Sequence, residues 1–247
     1  MNPKQILNPI KIIHTSDLHL GSDGFKSSVQ GKSIPIKQVV DTTLNEKADV
    51  LVIAGDLVDH NRVHLDVLTE LQNQLNRLSI PIILLPGNHD SLDEDSIYNR
   101  AHLVDNCSSL RMFSDPSGEI IHLKNLQLSF WGKPTIHHSP LFLPLGNAPS
   151  RNQEKWFVGV AHGLITEESN TEQRSSPIFP SHIAESDFDY IALGHIDVFR
   201  DVSTGNVPAF YSGSPEGTSA EQPGSVTLIE LDDHKGVTVK PIPVTIN

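Results

Sequence analysis

Five short apolar runs, each closing on polar residues, divide this chain. Val50-Leu51-Val52-Ile53-Ala54 is followed by Gly55 and Asp56. Ile10–Thr15 leads into Ser16-Asp17-Leu18-His19, and Ile80–Leu85 into Pro86-Gly87-Asn88-His89-Asp90. Trp156–Ala161 delivers His162-Gly163, and Phe188–Leu193 delivers Gly194-His195-Ile196-Asp197. Runs that are apolar at successive rather than alternate positions predict strands covered on both faces. In sheets of that kind, function collects where the carboxyl ends of the strands open into loops. The five runs therefore bring carboxylates, an amide and imidazoles to one rim, a donor set that predicts a metal site.

The segments between the runs alternate with them. Ile34–Lys47 carries Ile36, Val39, Val40 and Leu44 at helical spacing, and Val63–Leu78 carries Val67, Leu68, Leu71, Leu75 and Leu78. A third helix is predicted over Ser96–Val104. Strand, helix, strand, helix, strand in that order predicts parallel βαβ units. The pattern then changes: Arg111–Phe113, Glu119–Leu123 and Leu126–Trp131 read as an antiparallel meander. Further strands are predicted at Pro208–Tyr211, Val226–Leu231 and Val237–Lys240. Gly21–Gly31, with Lys26 and the neighbouring Lys32, reads as a solvated loop. Two long stretches flank His162, Gly132–Lys155 and Leu164–Ser186, and their length favours a substrate-shaping role. The fold expected is two mixed β-sheets packed together and flanked by helices, forming one domain over residues 1–247.

Composition narrows the setting. The 247 residues include 30 acidic and 18 basic ones, for a formal charge of −12. That balance counts against a broad basic groove for duplex DNA, although bound divalent ions would offset part of the local charge. The 13 histidines far outnumber the three tyrosines and two tryptophans, and imidazole is a common transition-metal ligand. A single cysteine, Cys107, excludes an internal disulfide. No run is long enough to span a membrane, and the first residues lack the pattern of a signal peptide. The chain reads as a cytoplasmic protein with no membrane partner.

Asp17 and His19 stand two apart, so an extended segment would turn both toward one ion. Asp56 would place one carboxylate oxygen on that ion and the other on a second, whose shell Asn88, His162 and His195 would complete. These donors suit Mn²⁺, Fe²⁺ or Zn²⁺, with two ions about 3.5–4 Å apart clamping a phosphoryl group and lowering the pKa of a bridging water. Attack on phosphorus leaves an oxygen that needs a proton, and His89 is the natural general acid. His14, inside the first run, reads as a hydrogen-bonded structural histidine. His60, His64, His102 and His122 read as surface or helix residues, and His137–His138 as exposed.

Asp17-Leu18-His19, Gly55-Asp56, Gly87-Asn88-His89-Asp90, His162-Gly163 and Gly194-His195 together resemble the ordered signature of the calcineurin-like metallophosphoesterases. Within that superfamily, His14-Thr15-Ser16-Asp17-Leu18-His19-Leu20-Gly21 and Tyr211-Ser212-Gly213-Ser214-Pro215-Glu216 are similar to stretches of the SbcD-type DNA-repair exonucleases. The resemblance implies an αββα fold, two metal ions with manganese favoured, and cleavage of phosphodiester bonds with DNA as a candidate substrate. It also marks departures. Asp197 stands where many members carry a second histidine ligand, which implies a more anionic first site or a weakened one. Asp59 stands where the nucleases often carry histidine; in the phosphatase branch an acid there orients the proton-donating histidine, so it implies a partner for His89. The nucleases continue into a DNA-capping domain and a segment that docks an ATPase; neither is expected here, and no ATPase partner is inferable.

The reading is thus a two-metal phosphoesterase, with phosphodiester hydrolysis favoured over monoester hydrolysis. Its rivals are a phosphodiesterase or phosphatase of small molecules, such as cyclic or dinucleotides, and a metal-impaired module that binds phosphate or a protein.

Overall fold

A computed structural model describes residues 9–22, 35–137, 139–151, 153–169, 176–219 and 221–244. The chain begins with β1 (Ile10–Thr15), α1 (Pro35–Asn45), β2 (Val50–Ala54), α2 (Leu65–Leu75) and β3 (Ile82–Leu85). Two short helices, α3 (Ile97–Ala101) and α4 (Leu103–Asn106), lead to β4 (Leu110–Met112). Next come β5 (Glu119–Leu123), β6 (Leu128–Gly132) and β7 (Trp156–His162), then the small pair β8 (Leu164–Ile165) and β9 (Pro177–Ile178). After α5 (Pro180–Ala184) follow β10 (Tyr190–Gly194), β11 (Arg200–Asp201) and β12 (Ala209–Tyr211). The chain closes with β13 (Gly217–Ser219), β14 (Gln222–Pro223), β15 (Ser225–Asp232) and β16 (Gly236–Pro243).

Two six-stranded sheets result, ordered β16-β15-β1-β2-β3-β4 and β11-β12-β10-β7-β6-β5. β1 through β4 pair in parallel, as do β6, β7, β10 and β12, while β15, β16, β5 and β11 join antiparallel. The unbroken apolar runs have a simple cause. Val50, Val52 and Ala54 face the second sheet, packed with Phe130, Val158, Val160 and Ala192. Leu51 and Ile53 face the other way, onto Ile36, Val40, Leu68 and Leu71 of α1 and α2. On the far side of the second sheet, Phe157, Ile191 and Leu193 pack with Ile183 and Phe188. The expected layers are therefore present, with every central strand covered twice.

Three local expectations change. Leu44 shares the helical spacing of α1 but is exposed; buried Thr43 takes the inward place and bonds its hydroxyl to the Val39 carbonyl. The predicted third helix breaks at His102, whose left-handed φ of 46° separates α3 from α4. The predicted meander does not form: β4 pairs parallel with β3, the chain crosses between the sheets after Phe113, and only β5 and β6 make an antiparallel hairpin. Most of the Gly21–Gly31 loop, with Lys26 and Lys32, lies outside the described residues. Cys107 is buried, and among the described residues no helix is long and apolar enough to cross a membrane.

Phe130 is fully buried between the sheets. Phe130→Ala should lower the unfolding free energy by about 3–5 kcal/mol, read from the denaturant midpoint; a loss under about 1 kcal/mol would mean the sheets collapse over the gap.

Candidate metal centre

Beyond Thr15 and Ala54 the two parallel strands cease to be extended yet go on pairing. Asp17 N–H donates to the Gly55 carbonyl at 3.1 Å, His19 N–H to Asp56 at 3.1 Å, and Leu20 N–H to Leu57 at 3.1 Å. Asp17, His19 and Asp56 take left-handed φ angles of 55°, 44° and 52°, a conformation that costs a non-glycine residue about 1–2 kcal/mol. This corrects the expectation for Asp17 and His19. They converge, but through coiled backbone rather than the alternation of an extended segment. One donor atom each of Asp17, His19 and Asp197 lies within 4.8 Å of the others. Asp197 is exposed and lies beside these two donors.

The second cluster joins Asp56, His162 and His195 over the same span. His162 Nδ1 lies 2.9 Å from the Ala54 carbonyl, so that nitrogen carries a hydrogen and Nε2 is the ring atom turned toward the site. Facing Nε2 are Asn88 Oδ1 at 2.9 Å and Asp56 Oδ2 at 3.2 Å. His195 Nδ1 approaches the same Asn88 oxygen at 3.0 Å. The two oxygens of Asp56 have different surroundings. Oδ2 faces His162 and lies 4.0 Å from His19 Nε2, while Oδ1 accepts the His89 N–H at 2.9 Å.

Glycines permit this crowding. A Cβ on Gly55, whose φ is 92°, would stand 2.2 Å from His162 Nδ1, and one on Gly87 would stand 2.2 Å from Asp56 Oδ1.

Three donors aimed at one point need a positive charge between them. Without a metal the proton supplies it. Burial alone would lower the His162 imidazole, but the Asp56 carboxylate overrides this and pushes it up to about 10. Burial likewise opposes ionisation of Asp56, yet His162 and the His89 amide hold its carboxyl below the usual range. Asp17 has less help: burial lifts its carboxyl to about 6, with His162 opposing and Asp56 adding to the rise. A set of nitrogen and oxygen donors without thiolate fits a divalent Mn²⁺, Fe²⁺ or Zn²⁺ ion.

His89 sits above these groups, 43% exposed and edge-on to His19 at 4.6 Å between ring centroids. The predicted partnership with Asp59 is present through a different atom. The Asp59 backbone carbonyl meets His89 Nδ1 at 2.8 Å, whereas its carboxylate lies 3.7 Å from that nitrogen and 3.4 Å from His19 Nδ1. Asp90 had no role in the sequence reading beyond closing the Gly-Asn-His-Asp quartet. It is fully buried and accepts from the Gly87 and Leu57 amides at 2.6 and 2.7 Å and from the Tyr98 hydroxyl at 2.5 Å. It fastens the loop carrying Asn88 to the loop after Asp56. The described histidines read as structural or exposed lie as expected. His14 is buried against the Tyr190 hydroxyl at 3.0 Å, with burial lowering it to about 3. His60, His64, His102, His122 and His137 are exposed, and His138 lies outside the described residues.

A sandwich of two sheets whose strand ends gather Asp, His and Asn donors defines a metal-dependent hydrolase. The profile of the calcineurin-like phosphoesterases matches residues 10–199, and the chain belongs to that family of hydrolases acting on phosphoester bonds. The family uses a dinuclear metal site. The chain is 25% identical to the SbcD component of the SbcCD nuclease of Staphylococcus saprophyticus, over 95% of this chain and 69% of that protein. It is 27% identical to the DNA double-strand break repair protein Mre11 of Aeropyrum pernix, over 90% of this chain and 58% of that one. The corresponding SbcCD component of Staphylococcus epidermidis is also 27% identical, with 61% of its length covered; the chain thus spans roughly three fifths of the length of the latter two relatives. Among solved structures, a dimetal phosphatase from Danio rerio superposes with a TM-score of 0.62 at 11% identity, covering 97% of this chain and 100% of that one. An archaeal phosphodiesterase does so with a TM-score of 0.50 at 18% identity, covering 94% and 100%. Both establish the shared fold.

The electrostatics set a pH dependence. Asp17 is raised above its unfolded value of 3.8, so its contribution to metal-free stability falls as pH rises from about 4 to about 6. His162 is raised above 6.5, so its contribution is complete below that pH and is lost as pH climbs toward about 10. A cation held by these residues would displace both protons. Mn²⁺ affinity, measured calorimetrically, should therefore rise about tenfold per unit between pH 7 and 8, where one proton is displaced, and more steeply below pH 6. A flat profile would show that these groups do not meet the ion.

Proposed function

We propose that this chain is a two-metal phosphodiesterase of nuclease type, working on DNA ends or single strands. The observation that carries the reading is the pair of donor clusters, Asp17, His19 and Asp197 in one and Asp56, His162 and His195 in the other. They adjoin where Asp56 Oδ2 lies 4.0 Å from His19 Nε2 and 3.2 Å from His162 Nε2, with the half-exposed His89 beside them. Asp17, His19, Asp56 and Asp197 would hold one ion, and Asp56, Asn88, His162 and His195 the second, Mn²⁺ being preferred. When bound, the ions supply Lewis acidity toward the phosphoryl oxygens and acidify water at neutral pH.

The chain's own residues do the rest. Asp90 and Gly87 keep the Asn88 loop close to Asp56. The His162 bond to Ala54 fixes which ring nitrogen faces the site. His89 gives its Nδ1 hydrogen to the Asp59 carbonyl, which leaves Nε2 to pass a proton to the departing oxygen. Support for DNA as the substrate comes from the relatives named as a component of the SbcCD nuclease and as Mre11. The charge of −12 argues for a small or single-stranded footprint rather than a duplex groove. The same charge favours, as a second reading, a small cyclic or dinucleotide substrate.

The test is Mn²⁺-dependent hydrolysis of bis-p-nitrophenyl phosphate beside the monoester and labelled DNA. Diester and single-stranded DNA cleavage, both abolished in Asn88→Ala and Asp56→Asn, is the expected outcome. Diester cleavage that DNA neither undergoes nor inhibits would select the small-molecule reading. No turnover with fewer than two bound ions would select a metal-impaired binding module.

His89→Ala should keep both ions yet lose about 10²–10⁴-fold in kcat on DNA, with a smaller loss when p-nitrophenolate departs. Equal losses on both leaving groups would remove His89 from the acid's role.

A further inference from the structure

The Tyr211–Glu216 stretch is singled out in the sequence yet contributes no ligand, although it reaches three of the loops that do. Tyr211 donates its hydroxyl hydrogen to the Gly163 carbonyl at 2.8 Å and accepts from the Ile165 amide at 2.9 Å, beside His162. Ser214 N–H donates to the Asp197 carbonyl at 3.0 Å. Ser212 Oγ lies 2.9 Å from Ser16 Oγ, which bonds Asp17 Oδ2 at 2.5 Å. Ser16 and Ser212 are fully buried, and Asp17 is 1% exposed.

Counting hydrogens gives this chain a direction. An ionised carboxylate only accepts, so the single Ser16 hydroxyl hydrogen is committed to Asp17. The contact between the two serines then requires the hydrogen of Ser212, whose other acceptor, the Gly213 carbonyl, is farther away at 3.1 Å. Asp17 Oδ2 thus receives Ser16 and the His195 amide at 2.9 Å, whereas Oδ1 receives that amide alone at 3.1 Å. The more loaded oxygen is fixed, and Oδ1 keeps lone-pair capacity.

We infer that Ser212 is a positioning residue for the ion held by Asp17, His19 and Asp197. It polarises and holds Ser16, and Ser16 turns the Asp17 carboxylate so that Oδ1 meets the cation. The inference rests on the metal-binding reading above. Hydrogen-bond partners behind a ligand commonly govern affinity by about 10–100-fold, and here the partner comes from a part of the chain nearly two hundred residues away.

The experiment is Mn²⁺ titration calorimetry on the full chain, with thermal melting of the metal-free protein as the folding control. Asn88→Ala marks the binding step of the second cluster. Ser212→Ala should weaken the other step by about tenfold or more, leave the marked one within about twofold, and melt near the wild type. Ser212→Thr, which keeps the hydroxyl, should restore most of the affinity. Ser225→Ala removes a hydroxyl that bonds the Ser212 carbonyl rather than its side chain, and should leave both steps unchanged. Unaltered binding in Ser212→Ala, or an equal loss in Ser225→Ala, would overturn the inference while leaving two-metal binding intact. A natively folded Ser212→Thr without restored affinity would do the same. A wild type that binds no Mn²⁺ would instead sink the metal-binding reading, and this inference with it.

Discussion

Two carboxylates, Asp17 and Asp56, are almost completely withdrawn from water at the mouth between the sheets, and much of the surrounding structure compensates for that withdrawal. Burying a carboxylate is costly unless hydrogen bonds and opposite charge replace its hydration. The replacement comes first from the charge of His162, and the His195 amide on Asp17 and the His89 amide on Asp56 add hydrogen bonds to it. Each amide belongs to a loop that also carries another site residue. Placing the donors where they are needed forces Asp17, His19, Asp56 and His195 into positive φ. Strain of this kind persists only where surrounding contacts over-determine it, and the ladder that continues past β1 and β2 does so.

The two sheets meet at this mouth by direct bonding as well as packing. His162, at the end of β7, bonds the carbonyl of Ala54 at the end of β2. Gly194, at the end of β10, approaches that carbonyl so closely that a Cβ would stand 1.9 Å from it. Inter-sheet apolar contacts among Val52, Ile83, Phe130 and Val158 set the spacing below. The site and the core therefore share a dimension: a change in sheet separation is a change in the distance between His162 and Asp56. Asp90 adds a cross-tie within the first sheet's loops, satisfying donors that would otherwise be buried without partners.

The pKa values describe one cluster in which protons occupy the place of cations. His162 keeps its proton because Asp56 is ionised, and Asp56 is ionised largely because His162 is charged. Asp17, farther from compensation, is the weakly acidic member. A cation held by such a cluster would exchange for its protons, which would tie metal occupancy to pH through residues that also determine the geometry.

Much was legible in the sequence for a definite reason. A strand covered on both faces must be apolar at every position, and the polar residue that ends it must lie where the cover ends; Val50–Ala54 with Asp56, and Trp156–Ala161 with His162, follow that rule. The helical stripe of α2 was legible because α-helical period and burial coincide. Tertiary structure decided whatever depends on the partner of a residue. Local pattern did not reveal that β4 pairs with β3 rather than with β5, since a three-residue strand carries the same residue types in either sheet. Nor did it reveal that the His89 amide would donate to Asp56, that the Asp59 carbonyl rather than its carboxylate would meet His89, or that Ser212 would lie against Ser16. Chemical type and periodicity are properties of the chain, whereas which atom meets which is fixed only when distant segments pack.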